Sequence, residues 1–299
     1  MSLFKKAKRT QSRLRLGLIG PSGSGKTMSS VRIAEGLADG GKIALIDTEH
    51  SSASLYSDVV SFDVCNLDSY EVENYIAAIE EAGREGYAVI IIDSLSHAWA
   101  GKGGILEFVD KAGKRGGNNF SAWRDATPRH NQLIEAILSS PCHVICTLRS
   151  KVEHVIENVG GKTTVRKVGL QPVQRDGMEY EFTICGDITD QHELIVTKTR
   201  AAWLKDEIIR EPDEAFGRRL LAWLNEGEQQ TFKPQPQEAT SIVLQTLDRI
   251  NSSKNPDALQ RLSEKVQARC SAGELSASER DSLTQAINNR IQTLTEVTA

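Results

Sequence analysis

A mainly parallel central β-sheet flanked by helices, an α/β architecture followed by a small α-helical C-terminal module, is the fold class this 299-residue sequence predicts. Three observations carry it. The segment GPSGSGKT at 20–27 lies between an apolar run (Leu14, Leu16, Leu18, Ile19) and apolar residues at helical spacing (Val31, Ile33, Ala34, Leu37), which makes a strand–loop–helix unit. Two further runs, KIALIDT at 42–48 and YAVIIIDSL at 87–95, read as strands buried on both faces, each delivering a carboxylate at its end. Beyond residue 240 the apolar residues recur every three or four positions.

The chain divides into a basic tail (1–12), an α/β core (13–225), a Gln- and Pro-rich linker (226–240) and the helical module (241–299). No apolar run approaches the roughly 20 residues of a membrane span, and the basic start has no apolar segment behind it, so a cytoplasmic protein with no membrane partner is expected. The five cysteines are scattered and mostly set in apolar runs, the pattern of buried thiols. Net charge is −4, so any polyanion site must be a local basic patch.

In the tail, Lys5, Lys6, Lys8, Arg9, Arg13 and Arg15 read as a solvated lead-in or a phosphate-backbone contact. The loop Gly20, Pro21, Ser22, Gly23, Ser24, Gly25 fits G-x-x-x-x-G-K-[ST] at every fixed position. Its glycines let backbone N–H groups turn inward as an anion cradle. Lys26 can then reach the β and γ phosphates, Thr27 can hold Mg²⁺, and Met28 continues the wall.

Glu49 follows the strand 42–48 and suits a general base that deprotonates a water, or an N-cap carboxylate. Residues 61–66 predict a third strand and 70–85 a helix. Asp93, ending the run at 89–92, is placed to join Thr27 around a metal ion. The spacing also predicts an extra strand between the two nucleotide-binding strands, with a water-activating carboxylate on or beside it.

Past Asp93, Lys111, Lys114, Arg115 and Arg124 lie close to Phe120 and Trp123. Cations beside aromatic rings suit single-stranded nucleic acid, and they equally suit a surface loop with both rings turned inward. A helix is predicted over 127–139 with Pro128 in its first turn, then a buried strand at 142–148 ending at Arg149. Residues 150–177 predict a hairpin turning at Gly160-Gly161 and carrying Lys162, Arg166 and Lys167. Two antiparallel strands (179–188 and 192–200) and a short helix (212–224) complete the core.

The run IDTEHSSASLYSD at 46–58 resembles the second-strand segment of bacterial RecA, and VIIIDSL at 89–95 resembles its metal-binding strand. Order and spacing agree from Leu14 to Leu95, with a looser likeness to about Arg200, closest to the RecA-like phage proteins that work with single-strand annealing systems. The resemblance implies a RecA-like P-loop NTPase fold, ATP and Mg²⁺ as ligands, and Glu49 as catalytic base. It places a first DNA loop at 111–124 and a second at 150–177. It puts a γ-phosphate sensor at the strand end, where the family's Gln is absent and Thr147 or Arg149 stands. It makes Lys198 and Arg200 fingers reaching a neighbour's nucleotide in a filament or ring; an exposed strand with surface cations is the plain alternative. It implies single-stranded DNA and an annealing or single-strand-binding protein as partners, in a bacterial host's cytoplasm. A nucleotide-switched loader or a helicase- or packaging-type motor fits the same motifs.

Overall fold

The computed structural model describes residues 4, 6–114, 119–159, 162–228, 241–253, 255–271 and 277–296. They fall into two compact units divided at residues 232/233. No helix among the described residues is long and apolar enough to cross a membrane.

Among the described residues the first unit is built on nine strands: β1 (Arg15–Gly20), β2 (Ile43–Asp47), β3 (Asp63–Asn66), β4 (Val89–Asp93), β5 (His143–Val159), β6 (Lys162–Pro172), β7 (Ile184–Ile188), β8 (Glu193–Thr199) and β9 (Ile208–Arg210). They are ordered β3-β2-β4-β5-β1-β7-β8-β9, with β6 paired to the far part of β5. From β3 to β7 all pairings are parallel; β8 and β9 add antiparallel. The helices are α1 (Lys26–Ala38), α2 (Val72–Arg84), α3 (Ser96–Ala100), α4 (Ile105–Lys114), α5 (Asn119–Ser139) and α6 (Glu214–Leu224).

Alternation along each strand feeds two cores. Leu16, Leu18, Ile91 and Ile145 face α1 and α6, whereas Ile19, Ile90, Ile92 and Cys146 face Tyr75, Ile79, Leu133 and Ile137 of α2 and α5. Covering both faces is why these strands read as unbroken apolar runs. Helix α6 packs on α1 through two glycines: a Cβ on Gly36 would lie 1.9 Å from the Glu214 carbonyl oxygen, and one on Gly217 would lie 2.2 Å from that of Ile33.

Several sequence expectations need correction. The strand between β1 and β4 is β5, which brings Thr147 and Arg149; β2, which precedes Glu49, lies on the other side of β4. Helix α5 begins at Asn119, so Pro128 is interior. A proline there removes one helical hydrogen bond, but Ala122, Ala126, Leu133 and Ile137 form a stripe buried in the core, and that packing carries the helix through. Residues 111–114 belong to α4, so the basic segment is helical at both ends. Residues 179–183 are not part of β7; Met178–Tyr180 form a single 3-10 turn. Strand β3 is exposed along its length, so Cys65 is an exposed thiol.

The tail is engaged as well. Lys8 pairs with Glu228 at 2.6 Å, Arg9 pairs with Glu226 and lies 5.6 Å over the Trp223 ring. Arg15 is buried, and its guanidinium donates to the carbonyls of Leu14, Leu138, Ser140 and Cys142, closing the C-terminal end of α5. Burial lowers its pKa to about 10.

The second unit holds α7 (Ser241–Ser252), α8 (Pro256–Ser271) and α9 (Ala277–Glu296) around Ile250, Leu259, Val266, Leu283 and Ile287.

Candidate active site

The carboxyl ends of β1, β2 and β4, and β5 where it passes Arg149 and Ser150, meet at a cleft of about 720 Å³. Parallel strands all end on the same side, so each apolar run delivers its first polar residues to one place. From β1 the chain turns through Gly23 (φ 81°) and Gly25 (φ 90°) into α1, a left-handed path that glycine takes without strain and that sets the loop at the start of the helix, where anions bind. Lys26 is buried and its Nζ donates to the Pro21 carbonyl at 2.7 Å. Burial lowers the pKa of this ammonium, while Asp93 and Glu49 raise it.

Asp93, at the end of β4, is 1% exposed. Its Oδ2 accepts from the Thr27 hydroxyl at 2.6 Å, and its Oδ1 accepts from the Thr147 hydroxyl on β5. Burial pushes its pKa up; the two threonine hydrogen bonds pull it back, and Glu49 and Asp47 push it further up. A buried carboxylate paired with a hydroxyl is an all-oxygen donor set for a hard cation. Among the described residues no group of three or more His, Cys, Asp or Glu side chains could cage a metal by itself. Thr27 and Asp93 would be the protein's share of a magnesium site, an ion usually held by one or two carboxylates together with phosphate and water oxygens.

Glu49 follows β2. Asp47 accepts from the Glu49 N–H at 2.5 Å and the Ala53 N–H at 3.0 Å, so this carboxylate is spent on holding the turn that presents Glu49. Glu49 Oε1 accepts from Arg149 Nε at 2.9 Å, with Arg149 Nη2 also at 2.9 Å. Thr48 locks β2 to β4 behind them: its Oγ1 accepts from the Ser94 N–H at 2.8 Å and lies 2.7 Å from His97 Nδ1. The His97 ring stacks on Tyr70 at 4.9 Å, and burial, followed by Arg149, lowers its pKa.

A loop of backbone donors, a buried cation, a carboxylate with two hydroxyls and a second, more accessible carboxylate together suit a nucleoside triphosphate at its transferring end. The AAA domain family profile matches residues 12–210, most of the first unit. This chain belongs to the AAA domain family. It is an ATP hydrolase, and its largely parallel sheet with helices on both faces and a phosphate loop after the first strand is the α/β architecture the sequence predicts. No curated protein matches the chain closely enough to be counted a relative. A solved structure of a prototypical ATPase from the type III secretion system of pathogenic bacteria is similar over 96% of this chain and 80% of that one, at 13% identity and a TM-score of 0.32.

The AAA domain brings some predicted residues together and separates others. Ser22, Gly23, Gly25, Lys26, Thr27, Met28, Glu49, Asp93 and Arg149 border one cleft, with Gly20, Pro21 and Ser24 in the loop behind it. Lys198 and Arg200 do not border it. Strand β8 runs antiparallel to β7, which pairs in parallel with β1, so it carries both residues away from the phosphate loop. Lys198 Nζ is turned onto its own chain, donating to the carbonyls of Tyr180 and Phe182.

Trp123 is not a free stacking platform: it packs 5.8 Å from Trp99 against the second core, because α5 rather than a loop carries it. Lys111 pairs with Glu107 at 2.8 Å and Lys114 with Asp110 at 3.8 Å, one helical turn apart; Arg124 lies 3.8 Å from Asp125. All three cations stay exposed. Arg115 and the side chains of Phe120, Lys162, Arg166 and Lys167 lie outside the described residues.

Sequence reading missed Arg32, His192, Glu211 and Pro212, which close the other end of the cleft. Arg32 makes a bidentate pair with Glu214 at 2.8 and 2.9 Å. None of the four falls in a motif; they meet only through the turn between β7 and β8 and the docking of α6 on α1.

Proposed function

We propose that this AAA domain protein is a Mg²⁺-dependent ATPase that couples ATP hydrolysis to the handling of single-stranded DNA, in phage recombination, annealing or replication, and that it works as a homo-oligomer. The loop amides and Lys26 hold the β and γ phosphates, and Thr27 with Asp93 would hold magnesium. Magnesium, when bound, neutralises charge on the phosphate oxygens. Glu49 orients the attacking water and accepts its proton.

The observation that carries the coupling is the place of Arg149. Strand β5 runs without a break from the sheet through Arg149 into the hairpin with β6, and Arg149 pairs with Glu49 at the point where the strand leaves the sheet. A γ phosphate entering the cleft competes with Glu49 for this guanidinium, since a phosphate offers it a stronger bidentate partner. Transfer of Arg149 to the phosphate frees Glu49 for water and pulls on the base of the hairpin. The hairpin and the exposed cations of α4 supply the DNA contacts. Lys198 and Arg200, which lie away from their own cleft, would complete the site of a neighbouring copy.

The test is ATP turnover with and without single-stranded DNA for the native chain and Glu49→Gln, with mass measured under the same conditions. Stimulation by DNA in an oligomer, lost in Glu49→Gln, supports the reading. Negligible turnover of the native chain in both conditions would replace it with a nucleotide-switched loader.

A further inference from the structure

The end of the cleft opposite Glu49 has its own construction. The turn from β7 to β8 returns to the phosphate loop, and His192 Nδ1 lies 2.9 Å from the Ser24 carbonyl oxygen. A carbonyl only accepts, so Nδ1 carries the proton and Nε2 of the neutral ring is left as an acceptor. The ring abuts the loop so closely that a Cβ on Gly25 would lie 2.9 Å from Nδ1.

Two non-glycine residues here adopt left-handed backbone, His192 (φ 62°) and Glu211 (φ 44°), and the Glu211 N–H donates to the His192 carbonyl at 3.0 Å. Such conformations cost on the order of 1–3 kcal/mol each and gather at ligand clamps. Both residues border the cleft, next to the apolar walls Met28 and Pro212. Arg32, tied to Glu214, has Glu211 close enough to raise its pKa further. Both side chains are exposed where they border the cleft, so the cluster offers two acceptors beside the phosphate loop, the His192 Nε2 and the Glu211 carboxylate.

We infer that His192 and Glu211 form a ribose-recognition site, in which these two acceptors take hydrogen bonds from the sugar's 2′- and 3′-hydroxyls and select ribonucleotides over deoxyribonucleotides. The inference rests on the placement of the phosphates at Lys26 and Thr27. With the γ phosphate directed toward Glu49, the sugar leaves the loop on the opposite side, where His192 touches Ser24. A pair of hydroxyl donors meets a pair of acceptors. A deoxy sugar leaves one acceptor facing the cleft without its donor, and the loss of one charge-assisted hydrogen bond is about tenfold in affinity.

The experiment measures equilibrium binding of ATP, 2′-deoxy-ATP, 3′-deoxy-ATP, GTP and inorganic tripolyphosphate, each with magnesium. The proteins compared are the native chain, Glu211→Gln, Glu211→Asn and His192→Phe. Asparagine tolerates the left-handed backbone, so Glu211→Asn tests the carboxylate without disturbing the fold. The native chain is expected to prefer ATP over one or both deoxy forms about tenfold. Glu211→Asn and His192→Phe should each bring a deoxy form to within about twofold of ATP, and Glu211→Asn, which leaves the His192–Ser24 contact in place, should bind tripolyphosphate as the native chain does. Equal native affinity for ATP and both deoxy forms overturns the inference. So does a His192→Phe or Glu211→Asn variant that changes ATP against GTP but keeps the deoxy preference. Failure of both ATP and tripolyphosphate to bind the native chain would instead remove the phosphate-loop reading beneath it.

Discussion

Arg149 and Glu49, 100 residues apart in the chain, share an ion pair of 2.9 Å at the mouth of the cleft. Their side chains are 49% and 27% exposed, so solvent screens the pair and its part in folding is small, under about 1 kcal/mol. Its interest is functional, because it ties the candidate base to the strand that enters the hairpin. Glu49→Gln is expected to lower kcat by about 10²–10⁴-fold with ATP affinity within a few-fold of native. Arg149→Ala should keep the melting temperature within a degree or two, yet lose the preference for ATP over ADP and the response to DNA. Steady-state kinetics beside calorimetric binding separates the two; an Arg149→Ala enzyme still stimulated by DNA would remove the coupling.

Asp93 is held ionisable against its surroundings, its pKa pushed up by burial and offset in part by the Thr147 and Thr27 hydroxyls. Asp93→Asn removes the buried charge and keeps a hydrogen-bonding amide between those threonines. The melting temperature is expected to be no lower than native, while magnesium affinity in the presence of nucleotide falls on the order of 10–100-fold. A clear loss of stability would show that the carboxylate is needed for the fold itself.

His143 is buried beside Arg13 and Arg15, and its Nδ1 accepts from the Leu14 N–H at 3.0 Å. Burial, with the two arginines, lowers its pKa from 6.5 to about 3. The unfolded chain therefore takes up a proton below pH 6.5 that the folded chain refuses. Stability is full above pH 6.5 and declines as pH falls toward 3, by up to about 1.4 kcal/mol per pH unit. His97 and His130, whose pKa values are also lowered by burial, act in the same direction. Denaturant melts at pH 7 and pH 5 should show a smaller difference for His143→Asn, whose amide oxygen can replace Nδ1, than for the native protein.

If Lys198 and Arg200 act on a neighbour, two inactive proteins should rescue each other. Glu49→Gln supplies intact cations, and the Lys198→Ala/Arg200→Ala variant supplies an intact Glu49. Mixing them is expected to restore a fraction of native turnover, up to about a quarter by random pairing in the simplest dimeric case. No recovery in a mixture shown by mass to contain both chains would return these residues to the surface strand.

Gly217 faces the Ile33 carbonyl so closely that any Cβ must push α6 off α1. Gly217→Ala is expected to destabilise the first unit by about 1–3 kcal/mol, read as a lower denaturation midpoint. The Arg32–Glu214 pair shifts with α6, so nucleotide affinity should fall too. An unchanged midpoint would mean the two helices can slide apart without cost.

The sequence alone determined the local chemistry. The phosphate loop, the strands ending at Asp47 and Asp93, and each helix of the C-terminal segment are written within about twenty residues, because backbone turning and hydrophobic periodicity act over that range. What depends on contacts between distant segments was decided by the tertiary structure. Which strand lies between β1 and β4, and so whether Thr147 reaches Asp93, follows from sheet order. Composition left Trp123 open as a stacking platform or an inward-turned ring, and the packing of α5 sets it against Trp99. His192 and Glu211 meet the loop at Ser24 and Gly25 only because two antiparallel strands fold back beside β1. Spacing in sequence carries no record of such meetings, since the free energy that selects them comes from burying the whole sheet at once.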